Sequence, residues 1–489
     1  MTNRTAQPQA SHYIDGAYVE GGTAFDTFDP ATGKTVATLH AADAALVDRA
    51  VAAARKAQIE WAATPSPVRG RILIETARLV RERNDELARI ETLDTGKALS
   101  ETLYVDAVSA ADNLEYFGHL ACTKTSDHIP HDATSFSYTL REPLGVVVGI
   151  GAWNYPLQIA AWKSAPALAL GNTMVFKPSE MTPLSALILA ECFTQAGLPA
   201  GVFNVVQGMG ETGAALVSHP NIDKVSLTGS IPTGAKVMAA AAADIKHVTL
   251  ELGGKSPVII FNDAHLENAV SGALMANFYS SGQVCSNGTR VYVQSGIREA
   301  FIKRLVERTE AIRHGDPLDP DVHMGPMISA RQAEITLGYI EKAKAEGAKL
   351  LTGGKRLNVE GFPDAHFIAP TIVDAVAEDG TVAKEEVFGP VLSLFAFEDE
   401  ADVVARANDT AFGLAAGIFT RDIARAHRVV AKLQAGTVWI NNYNVTPVGM
   451  NFGGHKKSGI GRENGKAAID YYSQLKTVYV ELGDVEAPY

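Results

Sequence analysis

The sequence predicts an α/β protein in which parallel sheets are covered by helices. A chain of 489 residues is too long for one hydrophobic core, so two or three domains are expected. Between residues 144 and 261, short apolar runs alternate with stretches of helical character, which is the rhythm of βαβ units. A second alternating series runs from about 270 to 450.

The elements of the two series follow from hydrophobic periodicity. Residues 43–90 are rich in Ala, Leu, Arg and Glu, with small apolar residues at helical spacing, and predict helices. Strands of the first series are predicted at 144–150, 173–176, 202–206, 224–227 and 258–261, with a helix at 182–196 among them. Strands of the second series are predicted at 290–293, 391–395 and 437–440.

Two segments, 135–142 and 476–482, alternate polar and apolar residues with a period of two. This pattern predicts amphipathic antiparallel strands that lie outside the parallel cores. A protruding strand can pair with another subunit. An edge hairpin packed within one chain explains the pattern equally well.

Composition and charge limit the classes of protein and partner. The chain is 46% hydrophobic and 20% charged, as is usual for soluble globular proteins. A net charge of −12 with no basic block argues against binding to nucleic acid or to anionic membranes. No apolar run has the length of a membrane span, and the polar start lacks the apolar segment of a signal peptide. The cysteines Cys122, Cys192 and Cys285 form no Cys-x-x-Cys pair, which argues against zinc and fits a cytoplasmic protein.

Cys285 lies among small and polar residues, between Gly282 and Gly288, whereas structural cysteines usually lie among large apolar residues. A cysteine in a glycine-rich turn can approach a ligand closely, and local donors there favour the thiolate. A thiolate that attacks an aldehyde leaves an oxyanion, which needs donors to stabilise it. This segment alone does not distinguish a nucleophile from an inert cysteine.

Two further polar residues lie next to predicted strands. Glu251 precedes a Gly-Gly pair in apolar surroundings, which raise the pKa of a carboxyl and suit a general base. A capping or salt-bridging role is the alternative. Asn154 follows the strand at 144–150, at a βα turn of the kind where open α/β sheets bind ligands. Its amide could donate to an oxyanion or form an Asx turn or helix cap.

The sequence Glu251-Leu-Gly-Gly-Lys-Ser-Pro, followed by Cys285 34 residues after the glutamate, resembles the aldehyde dehydrogenase superfamily. The resemblance runs nearly end to end, from residue 28 to residue 465. It is carried by further blocks at 143–146, 153–156, 176–180, 227–230, 385–390 and 451–459. Many ordered blocks make this signal far more specific than a single glycine motif.

The resemblance implies a catalytic role for each of the three residues. Cys285 corresponds to the nucleophile, and Asn154 and the Cys285 backbone N–H correspond to the oxyanion hole. Glu251 corresponds to the base that activates water against the thioacyl-enzyme, after hydride has left for nicotinamide. A catalytically silent relative would be expected to lack one of these residues, and all three are present.

The resemblance also implies NAD as cofactor. Lys177 and Glu180 correspond to contacts with the adenosine ribose, residues 229–234 to the pyrophosphate turn, and Glu386 and Phe388 to contacts with the nicotinamide ribose. The full set implied is Gly151, Ala152, Trp153, Lys177, Pro178, Ser179, Glu180, Gly229, Ser230, Thr233, Gly234, Glu386 and Phe388. The carboxylate of Glu180 should favour NAD by repelling a 2′-phosphate, although NADP is accepted by some relatives with this glutamate.

The domain organisation implied by the resemblance has three parts. They are a Rossmann-like NAD-binding domain (1–125 and 146–257), an α/β catalytic domain (258–455) and a small antiparallel oligomerisation element (126–145 and 456–489). Family members are dimers or tetramers built through strands like 477–482, so a homo-dimer or homo-tetramer is expected.

Aromatic residues beside Asn154 point to the substrate. Tyr155 and Trp162 are seven residues apart and lie on roughly one helical face, and Tyr443 could complete an aromatic lining. Aromatic faces attract quaternary ammonium groups. Ordinary aromatic packing is the alternative.

Residues 79–97, 149–166 and 275–285 resemble the bacterial betaine aldehyde dehydrogenases in particular. That resemblance implies a charge relay of Lys163 and Glu463, which a structural ion pair would also explain, and a potassium site near Thr27, Phe28 and Asp94. Tyr443 stands where many of these enzymes have Trp. We therefore expect oxidation of betaine aldehyde to glycine betaine, with an ω-aminoaldehyde such as 4-aminobutanal or 4-trimethylaminobutanal as the alternative substrate.

Overall fold

The computed structural model describes residues 4–123 and 126–489. The strands in this part of the chain are β1 (His12–Ile14), β2 (Ala17–Val19), β3 (Thr23–Phe28), β4 (Thr35–Ala41), β5 (His128–Pro130), β6 (Ser135–Pro143), β7 (Val146–Ile150), β8 (Thr173–Lys177), β9 (Phe203–Val205), β10 (Lys224–Thr228), β11 (His247–Glu251), β12 (Pro257–Ile260), β13 (Arg290–Gln294), β14 (Lys349–Thr352), β15 (Thr371–Asp374), β16 (Val391–Phe397), β17 (Ala415–Phe419), β18 (Thr437–Ile440), β19 (Gly459–Ile460) and β20 (Ser473–Glu481).

The α-helices are α1 (Ala44–Ala63), α2 (Ser66–Glu82), α3 (Asn84–Thr95), α4 (Leu99–Thr102), α5 (Asp106–Leu120), α6 (Pro156–Ala169), α7 (Ser185–Gln195), α8 (Gly210–Ser218), α9 (Ile231–Ala242), α10 (Leu266–Met275), α11 (Ser295–Glu310), α12 (Ala330–Ala345), α13 (Thr381–Lys384), α14 (Glu400–Asn408), α15 (Ile423–Val430) and α16 (Ala468–Tyr471). Over the described ranges, none of them is long and apolar enough to cross a bilayer.

The first sheet has the strand order β19-β11-β10-β7-β8-β9-β1-β2. The strands from β11 to β9 are parallel, and antiparallel strands flank them at both edges. Val147 faces a core with α2, α5, α6 and α7, while Val146 and Val148 face a core with α1, α8 and α9. Both faces are therefore apolar, which confirms the βαβ units of the series predicted for residues 144–261 as far as β11. The last strand of that series, predicted at 258–261, is β12 and belongs to the second sheet.

The second sheet has the order β14-β15-β16-β13-β12-β17-β18, and all of its strands except β14 are parallel. Val258 and Ile260 face a core with α10 and α11, whereas Ile259 faces one with α12, α14 and α15. The chain crosses from the first sheet to the second between Glu251, the last residue of β11, and Pro257, the first of β12. This crossing places the carboxyl ends of the parallel strands of the first sheet near the second sheet.

The two amphipathic segments pair as antiparallel strands outside the parallel sheets, as predicted. β6 and β20 pair over nine residues, from Ser135 opposite Glu481 to Pro143 opposite Ser473, and β5 completes a three-stranded sheet. A smaller sheet consists of the β3–β4 hairpin.

The segment after residue 456 does not belong wholly to the three-stranded sheet, contrary to its assignment to the oligomerisation strands. β19 pairs with β11 at the edge of the first sheet. Glycine makes this approach feasible, because a Cβ at Gly459 would lie 2.1 Å from the carbonyl oxygen of Leu250. The domain bounds otherwise stay a prediction.

Candidate active site

Three polar residues converge on one cavity of about 410 Å³ at the carboxyl ends of the parallel strands. Asn154 follows β7, Glu251 ends β11, and Cys285 lies in the loop before β13. All three line the cavity. The structure therefore brings together the residues that the sequence singled out separately, in the location expected for open α/β sheets.

Cys285 is partly exposed to the cavity and packs against Trp162, Leu414 and Phe452. Its loop lies directly against the crossing between the two sheets. A Cβ at Gly254 would lie 2.5 Å from the Cys285 carbonyl oxygen. The Gly-Gly pair after Glu251 thus allows the base and the nucleophile to approach each other.

The surroundings of Cys285 disfavour the thiolate in the free protein, contrary to the expectation that local donors would stabilise it. Burial, followed by the carboxyl groups of Glu386 and Glu251, raises the pKa of the Cys285 thiol to about 12. The backbone N–H groups of Ser286 and Cys285 act in the opposite direction but do not outweigh burial. A base near the thiol is therefore needed to take its proton as the sulfur attacks.

Glu251 is the base that the geometry offers. Its carboxyl is buried, and neither oxygen has a hydrogen-bond partner among the described residues. Burial and then Glu463 raise its pKa well above the usual range, while Lys163 and Arg462 oppose them. An unpartnered buried carboxyl with a raised pKa is suited to taking up and releasing a proton near neutral pH.

Asn154 is held by a hydrogen bond in which its Nδ2 donates to the Gln283 carbonyl oxygen at 3.0 Å. The helix α6 is capped at Tyr155 without a side-chain hydrogen bond, so Asn154 does not act as the helix cap. An amide nitrogen carries two N–H donors, and the second is available to an oxyanion formed at Cys285.

We expect Asn154→Ala to lower kcat by roughly 10²–10³-fold, because one oxyanion donor is lost. Asn154→Asp tests the same point, since a carboxylate at this position would repel the oxyanion. Steady-state kinetics with an unchanged KM for NAD would show that the loss is in the chemical step. An Asn154→Ala enzyme with wild-type kcat would exclude Asn154 from the oxyanion hole.

The Lys163–Glu463 pair lies next to Glu251. Lys163 Nζ is 2.5 Å from Glu463 Oε1 and donates to Ser226 Oγ at 3.0 Å, and all three side chains are buried. Glu463 also lines the cavity. Glu251 forms no hydrogen bond to this pair among the described residues, so the charge relay stays a prediction.

The predicted ribose contacts lie at the end of β8. Lys177 Nζ donates to the Pro178 carbonyl oxygen at 2.7 Å and lies 3.8 Å from Glu180 Oε2. Burial lowers the pKa of Lys177 to about 8. The backbone N–H of Gly151 donates to the Lys177 carbonyl oxygen at 2.9 Å, which places the turn of Gly151, Ala152 and Trp153 beside the turn of Pro178 and Ser179.

The predicted pyrophosphate turn leads from β10 into α9. Ser230 caps this helix, and its hydroxyl accepts from the Thr233 N–H at 3.4 Å. A Cβ at Gly234 would lie 2.7 Å from the Leu252 side chain, so glycine lets the helix pack closely on the sheet. The free N–H groups of such a helix start, after the Gly229 turn, suit a phosphate.

The predicted nicotinamide contacts lie beside Cys285. Glu386 Oε1 accepts from the Gly254 N–H at 3.1 Å, and burial raises the pKa of Glu386 to about 7. Phe388 has a left-handed φ of 54°, and its ring meets the Trp153 ring edge-on at 5.1 Å. The ribose carboxylate, the helix start and this last group supply the polar and backbone donors and acceptors that a dinucleotide needs, so the residues present fit NAD.

Five aromatic side chains line the cavity: Tyr104, which is largely exposed, Tyr155, Trp162, Tyr279 and Phe452. The Trp162 and Phe452 rings are in contact, with centroids 5.5 Å apart. Tyr279 and Phe452 had not been singled out from the sequence. Tyr279 belongs to a turn whose residues Ser280 and Ser281 have left-handed φ values of 50° and 55°, and such a turn has no clear sequence signal.

The prediction that Tyr443 lines the substrate cavity is wrong. Its ring is buried against Trp439, with centroids 4.7 Å apart, and its hydroxyl donates to the Ser286 carbonyl oxygen at 2.7 Å. Left-handed residues on either side, Asn441 and Asn444, turn the ring into the catalytic core. The following residues Asn444, Val445 and Thr446 line the cavity instead.

The predicted potassium site contains oxygen donors. The Thr27 hydroxyl lies 2.9 Å from Asp94 Oδ1 and 3.2 Å from the Met181 carbonyl oxygen, and burial raises the pKa of Asp94 to about 7. The Phe28 side chain is exposed, so only its carbonyl could take part. Within residues 4–123 and 126–489, no cluster of three His, Cys, Asp or Glu residues could hold a metal. Oxygen donors suit a hard cation, and potassium here stays a prediction.

Comparison with known proteins was made for the sequence and for the fold. The aldehyde dehydrogenase family model matches residues 18–478. Betaine aldehyde dehydrogenase from Brucella anthropi is 59% identical over 486 residues, which cover 99% of this chain and 100% of that protein. The protein of the same name from Brucella ovis is also 59% identical over the same length.

Solved structures give the same result. Betaine aldehyde dehydrogenase from Staphylococcus aureus in complex with NAD+ has a TM-score of 0.95 and 38% identity, covering 99% of this chain and 97% of that one. The NAD+ complex of aldehyde dehydrogenase from Bacillus cereus has a TM-score of 0.95 and 42% identity, covering 97% of each chain. The chain therefore belongs to the aldehyde dehydrogenase family, whose members are NAD(P)-dependent enzymes.

Proposed function

We propose that this enzyme oxidises betaine aldehyde to glycine betaine with NAD. The observation that carries the proposal is the cavity that Cys285 lines together with five aromatic side chains. A trimethylammonium group has no N–H to donate, so aromatic faces are its natural partners, at about 0.5–2 kcal/mol per contact. The relatives named betaine aldehyde dehydrogenase, at 59% identity over the full chain, support the same substrate.

The first step is attack of Cys285 on the aldehyde carbon. A C–S bond forms, the thiol proton passes to Glu251, and the oxyanion accepts from Asn154 Nδ2 and from the Cys285 backbone N–H. Burial raises the pKa of the Cys285 thiol to about 12, so the thiol attacks only as its proton passes to the ionised form of Glu251. NAD, when bound, supplies the acceptor for the hydride that leaves the thiohemiacetal.

The second step is hydrolysis of the thioacyl-enzyme. Glu251 takes a proton from water, the hydroxide adds to the acyl carbon, and the C–S bond breaks to release the carboxylate product and the free Cys285. The oxyanion donors act in this step as well. The buried Lys163–Glu463 pair, with Ser226, gives the proton on Glu251 an onward path.

Glu180 supports NAD over NADP. Its carboxylate is partly exposed at the end of β8, 3.8 Å from Lys177, where it can accept from a ribose diol. A 2′-phosphate would bring two further negative charges to the same carboxylate, which is unfavourable.

The charges at the cavity also bear on a primary ammonium, the group that an ω-aminoaldehyde such as 4-aminobutanal carries. A primary ammonium would need a carboxylate acceptor in the outer wall, and Asp112 is the carboxyl that lines the cavity there. Asp112 is paired with Arg81 at 2.8 Å, but Arg81 also pairs with Glu115 at 2.5 Å, so the three groups keep one net negative charge and an ω-aminoaldehyde stays the second candidate substrate.

The test compares kcat/KM for betaine aldehyde with that for 3,3-dimethylbutanal, its uncharged isostere, with each cofactor. We expect a preference for betaine aldehyde of roughly tenfold or more, because the two aldehydes differ only in the charge that the aromatic faces attract. Propanal and 4-aminobutanal should also be poorer substrates. Equal efficiency with the isostere would remove the basis for the quaternary ammonium site.

The three-stranded sheet supports a homo-dimer or homo-tetramer. Leu475 and Tyr479 on β20 are more than half exposed, and the strand has β6 on one side only. An exposed edge strand with apolar side chains is suited to pairing with a second copy of the chain.

A further inference from the structure

A cluster of buried charged residues lies beside the cavity without lining it. It consists of Glu91, Lys97, Glu101 and Asp106, each at most 6% exposed, and we call it the rear cluster. Lys97 forms an ion pair with Asp106 and lies 4.0 Å from Glu91. None of the four residues has a part in the catalytic steps.

The rear cluster contacts two tyrosine walls of the cavity. Lys97 Nζ lies 4.1 Å from the centre of the Tyr155 ring. Glu101 accepts two hydrogen bonds from Ser280, at 2.9 Å from the backbone N–H and at 3.1 Å from the hydroxyl. The same hydroxyl lies 2.7 Å from the Tyr155 hydroxyl, so a continuous chain runs from Glu101 through Ser280 to the Tyr155 ring.

The turn that Glu101 holds is strained. Ser280 and Ser281 are consecutive non-glycine residues with left-handed φ, and the surrounding contacts must hold such a conformation in place. Glu101 holds the first of them, and the Ser281 hydroxyl donates to the Gly325 carbonyl oxygen at 2.8 Å. This turn begins with Tyr279 and is followed by the loop that carries Cys285. Loss of the Glu101 contacts would therefore free Tyr279, which begins this turn. It would also free Tyr155, whose hydroxyl is hydrogen-bonded to the Ser280 hydroxyl.

We infer that Glu101 is a positioning residue for the aldehyde pocket, which fixes Tyr155 and Tyr279 through Ser280. The inference rests on the proposed function, because it requires that Tyr155 and Tyr279 bind the aldehyde. It predicts that Glu101 controls KM for the aldehyde, whereas kcat and KM for NAD depend on groups that Glu101 does not contact.

The test compares Glu101→Leu with Glu91→Leu, the same substitution at a second buried glutamate of the rear cluster. We expect Glu101→Leu to raise KM for betaine aldehyde by about tenfold with kcat within about threefold, since aromatic contacts are lost but the reacting groups remain. Glu91→Leu should leave KM within about threefold, because Glu91 does not contact Ser280. Glu101→Gln should recover most of the affinity, because its amide oxygen still accepts from the Ser280 N–H.

Equal effects of the two leucine variants on KM, or a fall in kcat with unchanged KM in Glu101→Leu, would overturn the inference. If Glu101→Leu does not fold, Ser280→Gly tests the link to Tyr155, because glycine accepts the left-handed φ and removes the hydroxymethyl side chain, while its backbone N–H can still donate to Glu101. An unchanged aldehyde KM in Ser280→Gly would then overturn it.

Both aldehydes, betaine aldehyde and 3,3-dimethylbutanal, are measured with every variant. If the wild-type enzyme uses them equally, the proposed substrate is wrong, yet a raised KM for both in Glu101→Leu still supports the positioning role. If the wild-type enzyme prefers betaine aldehyde and Glu101→Leu changes neither KM, the positioning role alone fails.

Discussion

Cys285→Ala is expected to lower kcat for aldehyde oxidation by roughly 10⁴-fold or more, because no other group can form the covalent intermediate. The sulfur lies at the inner end of the cavity, beside Asn154 and Glu251, where the thiohemiacetal would form. NADH formation at 340 nm measures the loss directly. NAD binding, followed by quenching of tryptophan fluorescence, should be retained.

Cys122→Ala is the matched control, since Cys122 is exposed and does not line the cavity. It should keep wild-type activity. A Cys285→Ala enzyme that retained full aldehyde oxidation would show that the reaction does not pass through this thiol.

Glu251→Gln is expected to separate the two halves of the reaction. Hydride leaves before water attacks, so the variant should still release close to one NADH per active site, in a burst slower than that of the wild type because the base that takes the thiol proton is lost, and should then turn over about 10²–10⁴-fold more slowly than the wild type. Rapid-quench or stopped-flow absorbance measures the burst and the steady state in one experiment. The amide keeps the shape of the carboxyl but cannot take a proton.

The pH dependence of Glu251→Gln gives an independent check. Because burial and Glu463 raise the pKa of Glu251, the carboxyl keeps its proton to higher pH than an exposed glutamate does and becomes a base as pH rises through its pKa. The steady-state kcat of the wild type should therefore rise with pH. The kcat of Glu251→Gln should not show this rise. A variant with no burst and a wild-type pH profile would show that Glu251 does not activate the water.

Much of the fold and the catalytic centre could be predicted because they depend on local patterns. The alternation of apolar runs with helical stretches placed β7, β8, β10 and β12 within two residues of their bounds. Asn154, Glu251 and Cys285 each follow or precede a predicted strand, so the carboxyl edges of the sheets brought them together. Asn154 and Glu251 are nearly a hundred residues apart in the chain. Their proximity could still be predicted, because the carboxyl ends of parallel strands lie at one edge of the sheet.

The predictions from sequence failed where the direction or the burial of a side chain in the folded protein determines its role. Tyr443 follows a correctly predicted strand, but left-handed backbone at Asn441 and Asn444 turns its ring into the core. The pKa of Cys285 was expected to favour the thiolate because polar neighbours are visible in the sequence, while the desolvation that raises it depends on packing. Tyr279 reaches the cavity through a strained turn held by Glu101, which is 179 residues from Ser280 in the chain.

The most direct test of the central claim is mass spectrometry of Glu251→Gln after mixing with betaine aldehyde and NAD. The account predicts that the peptide containing Cys285 gains the mass of a trimethylammonio-acetyl group as a thioester, in a yield that matches the NADH burst. Cys122 and Cys192 should stay unmodified. An unmodified Cys285 peptide after a full NADH burst would contradict the covalent mechanism.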